Sequence, residues 1–216
     1  MRLRAAVTAS VVCALGFVAL GVAVRHGPTA FDTTLHDFAL AHRAGVVRRV
    51  AEAVTFGGSA AVTAPLVLAA ALTFARPGAR GRWLASALAV GIGVQVGSGI
   101  RYVLAQAIHR QRPPDLDWIG SPRGFAYASG HTASSALAAG ALAWALSRRT
   151  GARWQPLWWG LAAAYALAVG WSRIWLGVHW PTDVLGGWLF AVAWLSGMRS
   201  VERLLVLSRA DEGRSR

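Results

Sequence analysis

The chain is divided into long apolar runs, with nearly all of its charge held in the short connections between them. Ala5 to Val24, Ala53 to Ala75, Trp83 to Ile100 and Trp154 to Ser172 carry no formal charge, and Gly124 to Ser147 contains only His131. A sixth run, Val184 to Met198, is shorter, but Trp180 to Thr182 can extend it with Asp183 near its mouth. About 20 mostly apolar residues cross the hydrocarbon core of a bilayer as a helix. The third run continues past Arg101 toward Ile108 to reach that length. With 55% hydrophobic and only 14% charged residues over 216 positions, neither an ordinary soluble enzyme nor a disordered chain fits. The expectation is an all-α integral membrane bundle of about six transmembrane helices, a single domain over 1–216 ending in a cytoplasmic tail from 201 to 216.

The arginines orient this bundle. All 22 basic residues are arginine, and against nine acidic residues they give a formal net charge of +13. They fall in short clusters between apolar runs rather than on one basic segment, which argues against a nucleic-acid partner. With the N-terminus inside, Arg2 and Arg4, then Arg76, Arg80 and Arg82, then Arg148, Arg149 and Arg153, and finally Arg199, Arg203, Arg209, Arg214 and Arg216 are internal. These are 13 of the 22, mostly in short connections where the positive-inside bias acts, so the expected topology is N-in and C-in. Tryptophans at both ends of the fifth run, Trp154, Trp158 and Trp159 against Trp171, Trp175 and Trp180, suit two membrane interfaces. The first run is longer than the ~7–15 apolar residues of a signal peptide, which favours a retained helix. Phe31 to Ala41 can form a short amphipathic helix; the favoured reading of His26 to Val50 is a connector lying on the membrane surface. Cys13, the only cysteine, lies in an apolar run and is assigned no function.

Polar residues at the edge of a membrane are costly and mark function. Here they gather in three places that the parity of the spans puts on the outer side: His109 to Asp115, Ala128 to His131, and Ser172 to Asp183. Arg112 and Arg173 carry planar guanidinium forks that match phosphate oxygens. Ser129 and Gly130 open a helix, whose free amides and dipole favour an anion. His179 and Asp183 are four apart with Pro181 between them, suited to the first turn of a helix. A carboxylate there can orient the imidazole, making His179 the candidate nucleophile on phosphorus. His131 is placed to protonate the leaving oxygen and then activate water. Taken singly, each has an ordinary alternative: interfacial histidines, arginines anchored on headgroups, a plain helix start. Zinc bound by His131, His179 and Asp183 is a further alternative, although no familiar zinc motif is present. The joint order and sidedness of the three clusters favour a site.

These same residues resemble a known family. Ser172-Arg173, then His179, then Asp183, with Gly177, Pro181 and Gly186 between and after, is similar to the third signature of the type-2 phosphatidic acid phosphatases, part of the lipid phosphatase and vanadium haloperoxidase superfamily. Ala128-Ser129-Gly130-His131 resembles the second signature, with alanine where proline is common, and Arg112-Pro113 resembles the end of the first. The matched region runs from about 101 to 187. The resemblance implies a helical bundle with its site facing the outer leaflet, and hydrolysis through a phosphohistidine without a metal or other cofactor. It implies His179 as nucleophile, Asp183 as its partner, His131 as acid and base, and Arg112, Ser129, Gly130 and Arg173 as phosphate ligands. The family's first signature begins with a lysine at the position of Ala105. Arg101, one turn earlier, and Arg110, nearer the mouth, are the two candidates to replace it; the lean of helical side chains toward the N-terminus argues against Arg101.

The functional expectation is a membrane phosphatase acting on a lipid phosphate or diphosphate, whose tail stays in the bilayer. Phosphatidate, phosphatidylglycerophosphate and polyprenyl diphosphate are all compatible. The expected location is a bacterial plasma membrane, with the site on the extracytoplasmic side. The alternative is a lipid-phosphate binding or transport protein that keeps the fold without hydrolysis, and the missing lysine is its support.

Overall fold

The computed structural model describes residues 3–74 and 82–212. Arg2, Arg76, Arg80, Arg214 and Arg216 of the orientation argument lie outside the described residues. Among the described residues all regular structure is helical: α1 (Leu3–Val24), α2 (Ala30–His42), α3 (Val46–Phe56), α4 (Ala60–Phe74), α5 (Arg82–Ile108), α6 (Gly130–Thr150), α7 (Gln155–Trp175) and α8 (Pro181–Glu212), with short 3₁₀ turns at Asp115–Asp117 and Ala152–Trp154. The third run continues through Arg101 into one helix, as its spacing implies, and α8 runs on from the sixth run through the expected tail as far as Glu212.

Among the described residues, three helical segments are long and apolar enough to cross a membrane: Leu3–Val24, Leu84–Ile108 and Pro181–Leu205. Val46–Phe56 and Ala60–Phe74 qualify only as a pair, bent by 46°. The unbroken span expected over Ala53 to Ala75 is therefore corrected. Gly57, Gly58 and Ser59 interrupt it, and Gly57 O accepts the Tyr165 hydroxyl at 2.5 Å. At ~1.5 Å per residue α4 alone is too short for the ~30 Å core. α3 instead lies across the end of α7, its buried Ala51 clustered with Leu176 and Val178. α6 and α7 have 21 residues each but are less apolar than these three. For α6 the reason is position: it packs against α4, α5, α7 and α8, so it faces protein more than lipid and can carry Ser, Thr and Gly.

α1 lies along α8, and their contact is sealed by Phe17, whose ring is 5.2 Å from Tyr127 and 5.5 Å from Phe190. A cavity of about 960 Å³ lies beside this cluster and is lined by Phe17, Val90, Trp144, Phe190, Trp194 and Met198; none of its lining residues belongs to the candidate site.

α2 departs from the surface connector favoured by the sequence. Its start is fixed by a capping box, Thr29 Oγ1 accepting the Asp32 N–H and Asp32 accepting the Thr29 N–H. It packs on α7 and α8 and buries Asp32, His36 and Ala39. A connector resting on lipid has no reason to bury an aspartate; this helix buries one because a partner waits beneath it.

Candidate active site

The end of α7 shows why this sequence delivers a histidine where it does. Gly177 has φ +69°, a conformation that costs other residues but not glycine. The Gly177 N–H bonds Ile174 O at 2.9 Å and the Val178 N–H bonds Arg173 O at 3.3 Å, the paired bonds of a Schellman stop. The chain turns there, and Pro181 starts α8 four residues later. His179 sits in this turn, 2% exposed. Asp183, in the first turn of α8, accepts the Trp180 N–H at 2.8 Å on Oδ2, and the same oxygen lies 3.4 Å from His179 Nδ1. That separation is longer than a hydrogen bond and leaves Nδ1 without a formal partner. His179 Nε2 is 3.0 Å from Arg112 Nη1. Because arginine can only donate, Nε2 holds a lone pair and the proton is on Nδ1, facing Asp183.

Arg112, Arg173, His131 and Arg101 act on this imidazole, and the start of α6 lies beside them. Arg112 is braced by its own loop, donating to Gly124 O at 2.8 Å, Arg123 O at 3.0 Å and Val178 O at 2.7 Å. Arg173 is buried and donates to Thr55 Oγ1 of α3 at 2.7 Å, while its Nε–H has no partner. Ser129 precedes α6 without capping it, its hydroxyl accepting from Thr132 at 3.0 Å, so the first-turn amides of α6 have no side-chain cap. Arg101 reaches across from α5 to Ala128 O at 3.0 Å, and its guanidinium lies 3.6–3.7 Å from where a Cβ on Gly130 would stand. His131 is held from behind by Gly58 of the α3–α4 break, where even a Cβ would come within 2.6–2.9 Å of the His131 side chain.

The electrostatic consequence falls on His179. Burial first, then the charges of Arg112 and Arg173, His131 and finally Arg101, push its pKa well below the ordinary 6.5. It is a neutral base at physiological pH. Among the described residues no three His, Cys, Asp or Glu side chains are grouped to hold a metal ion, so the zinc alternative for His131, His179 and Asp183 has no ligand set.

Of the two candidates for the missing lysine, Arg101 reaches the start of α6 beside Gly130 and Arg110 does not. Arg110 is fully buried and committed to Asp183 Oδ1 at 2.5 Å, Asp32 Oδ2 at 2.8 Å and Thr182 Oγ1 at 2.7 Å. The lean argument against Arg101 is overturned because an arginine is long enough to extend sideways to the start of α6. Sequence reasoning missed Thr55, Gly58 and Asp32. Only the Thr29–Asp32 capping pattern hinted at the last, and it marks a helix start rather than a site.

The family model of the PAP2 superfamily matches residues 81–204, more than half of the chain. The chain belongs to the PAP2 superfamily. Among relatives in this superfamily, the decaprenylphosphoryl-5-phosphoribose phosphatase of Mycolicibacterium smegmatis is 36% identical over 152 residues, 69% of this chain and 75% of that protein. An undecaprenyl-diphosphatase of Sulfolobus acidocaldarius is 33% identical over 111 residues, 49% of this chain; the chain spans just under half the length of that relative, 47%. The PAP2-type phosphatidylglycerolphosphate phosphatase of Bacillus subtilis shares the fold, with a TM-score of 0.77 at 24% identity, over 90% of this chain and 96% of that one.

Proposed function

We propose that this PAP2 protein is a membrane lipid phosphatase that works through a phosphohistidine at His179. The observation that carries the reading is three guanidinium groups converging on a buried neutral histidine, with the Nε–H of Arg173 left without a partner. A phosphate oxygen would satisfy that donor, and Arg101, Arg112 and the α6 amides would bind the others. With substrate bound, Arg112 turns from Nε2 to phosphate, and Nε2 attacks phosphorus. The N–P bond forms as the P–O bond to the lipid breaks, and His131 gives the leaving oxygen its proton. Water then attacks the phosphohistidine, His131 takes the proton back, and the N–P bond breaks to release phosphate. Asp183 stabilises the imidazolium character that His179 develops during transfer. The three guanidinium groups and the helix dipole balance the charge that grows on the phosphoryl oxygens.

The bundle crosses the membrane six times with both termini inside, α3 and α4 together making one bent crossing, and the ends of α5, α6, α7 and α8 bring the site to the outer end. The substrate class is a lipid phosphomonoester or diphosphate. Polyprenyl-linked phosphates and diphosphates are the first substrates to try, ahead of phosphatidate and phosphatidylglycerophosphate; the names of the M. smegmatis and S. acidocaldarius relatives support that order. Arg101 beside Gly130 weakens the case for a non-hydrolytic lipid-phosphate carrier, which rested on the missing lysine. The test is phosphate release from these lipids in detergent with EDTA present. Wild type is expected to release phosphate and His179→Ala to release none while remaining folded. Tight lipid-phosphate binding without release by wild type favours the carrier.

A further inference from the structure

The carboxylate behind His179 belongs to a larger buried cluster. Asp183 Oδ1 is taken by Arg110 Nη1 at 2.5 Å, which leaves Oδ2 for the Trp180 N–H and the His179 ring. The other arm of Arg110 reaches out of this pair: Nη2 donates to Asp32 Oδ2 at 2.8 Å and to Gly27 O at 3.4 Å. Asp32 Oδ1 accepts the Thr182 N–H at 2.9 Å and the Thr182 hydroxyl at 2.8 Å, and that hydroxyl accepts from Arg110 Nη1 at 2.7 Å. Asp32, Arg110 and Asp183 have no exposed surface. Asp32 thus caps α8 from another helix while its N–H and Oδ2 also close the capping box of α2.

This is a costly way to attach a surface helix. Each buried ion loses several kcal/mol of hydration, and an apolar contact of the same size would hold α2 at least as well. Two carboxylates also share one guanidinium. What the arrangement does achieve is geometric. A guanidinium facing a single carboxylate tends to engage both of its oxygens. With Nη2 held by Asp32, the paired Nη1 and Nη2 cannot close on Asp183 together; Nη1 alone meets it, and Oδ2 stays turned toward His179.

We infer that Asp32 is a positioning residue: from α2, outside the residues matched to the family, it holds Arg110 and the first turn of α8 so that Asp183 presents Oδ2 to His179 Nδ1. The inference rests on the reading of His179 as the nucleophile. It predicts that the outer helix α2 is part of the machinery and that its removal is felt in turnover rather than in substrate binding.

The test uses the full chain in detergent micelles and the near-isosteric Asp32→Asn. The protein has six histidines, few enough for ¹⁵N-histidine NMR to resolve the His179 Nδ1 signal by comparison with His179→Gln. The expected result is a shifted His179 Nδ1 signal, a kcat lower by about 10- to 100-fold and a KM within about threefold of wild type. Because Asp32 acts through Asp183, Asp32→Asn added to Asp183→Asn should cost less than about twofold more. An unchanged Nδ1 signal with kcat within about twofold of wild type overturns the inference, as does an equal loss of kcat in both backgrounds. If Asp32→Asn does not fold, Asp32→Glu keeps the charge on a longer arm and is read in the same way. Should wild type release no phosphate from any lipid, the phosphatase reading fails, and the Nδ1 signal alone decides the role of Asp32.

Discussion

At the scale of residues, charge is what makes His179 useful. Burial and the surrounding arginines favour its neutral form, so the free base persists as pH falls below 6.5. The acid limb of kcat/KM, which reports the free enzyme, is therefore expected below pH 6.5. Arg101→Gln removes one of the cations that depress this group, so the limb should move to higher pH, and kcat/KM should drop at least about tenfold as one phosphate ligand is lost. A pH–rate profile of both proteins checks the two effects together. Arg110→Ala should behave differently. It strips the counter-charge from two fully buried carboxylates, so thermal or denaturant unfolding should show a loss of about 3–5 kcal/mol. Arg101 lies at the start of α6 and Arg110 is committed to two buried carboxylates, a division that their spacing does not reveal.

At the scale of elements, the site is made by helix ends. α5 finishes, α6 and α8 begin and α7 stops at one face, where unpaired amides and the turn after α7 can meet an anion. Gly177 makes that stop. Gly177→Ala would force a side chain into φ +69° and drive its Cβ against the backbone of Asp117, so it should cost more than the ~1–2 kcal/mol of the backbone term alone and reduce activity as His179 shifts. Comparison of its unfolding midpoint and phosphate release with wild type tests this. The break between α3 and α4 is the second such element. Gly58→Val would put branched bulk where a Cβ already meets His131 at 2.6–2.9 Å. Turnover should fall about 100-fold by displacement of the acid–base group, with the helix content seen by circular dichroism unchanged. An uninterrupted helix over Ala53 to Ala75 would carry neither Gly58 nor Thr55 to these places.

At the scale of the whole molecule, α6 packs on α4, α5, α7 and α8 while α1, α2 and α3 pack on α7 or α8, and Asp32, Thr55 and Gly58 reach the site residues from outside the matched region. The proposed topology can be tested with the protein's single cysteine as an advantage. In a Cys13→Ser background, a cysteine at Gly27 or Gly120 should react with a membrane-impermeant maleimide added to intact cells. One at Ala152, beyond α6, should react only after lysis. Reversed labelling would turn the bundle over and place the site inside.

Much of this protein is legible in its sequence, because the two strongest constraints on it are local. Apolar runs of bilayer length must become helices, since lipid offers no partner for a bare backbone. The glycine, proline and aspartate around His179 write a helix stop and a helix start within a few residues. The helical class, the third helix running through Arg101 and the gathering of His131, Arg112, Arg173, His179 and Asp183 follow from these. The tertiary structure decided what depends on contacts between distant segments. It broke the second run so that Thr55 could meet Arg173 and Gly58 could meet His131. It sent Arg101 to the cradle and Arg110 to the interior, and it sank Asp32 of α2 beneath the first turn of α8. The contacts of Thr55 with Arg173 and of Arg110 with Asp32 and Thr182 each join residues more than 70 apart, Arg101 meets Ala128 across 27, and energies of that kind exist only once the helices are packed.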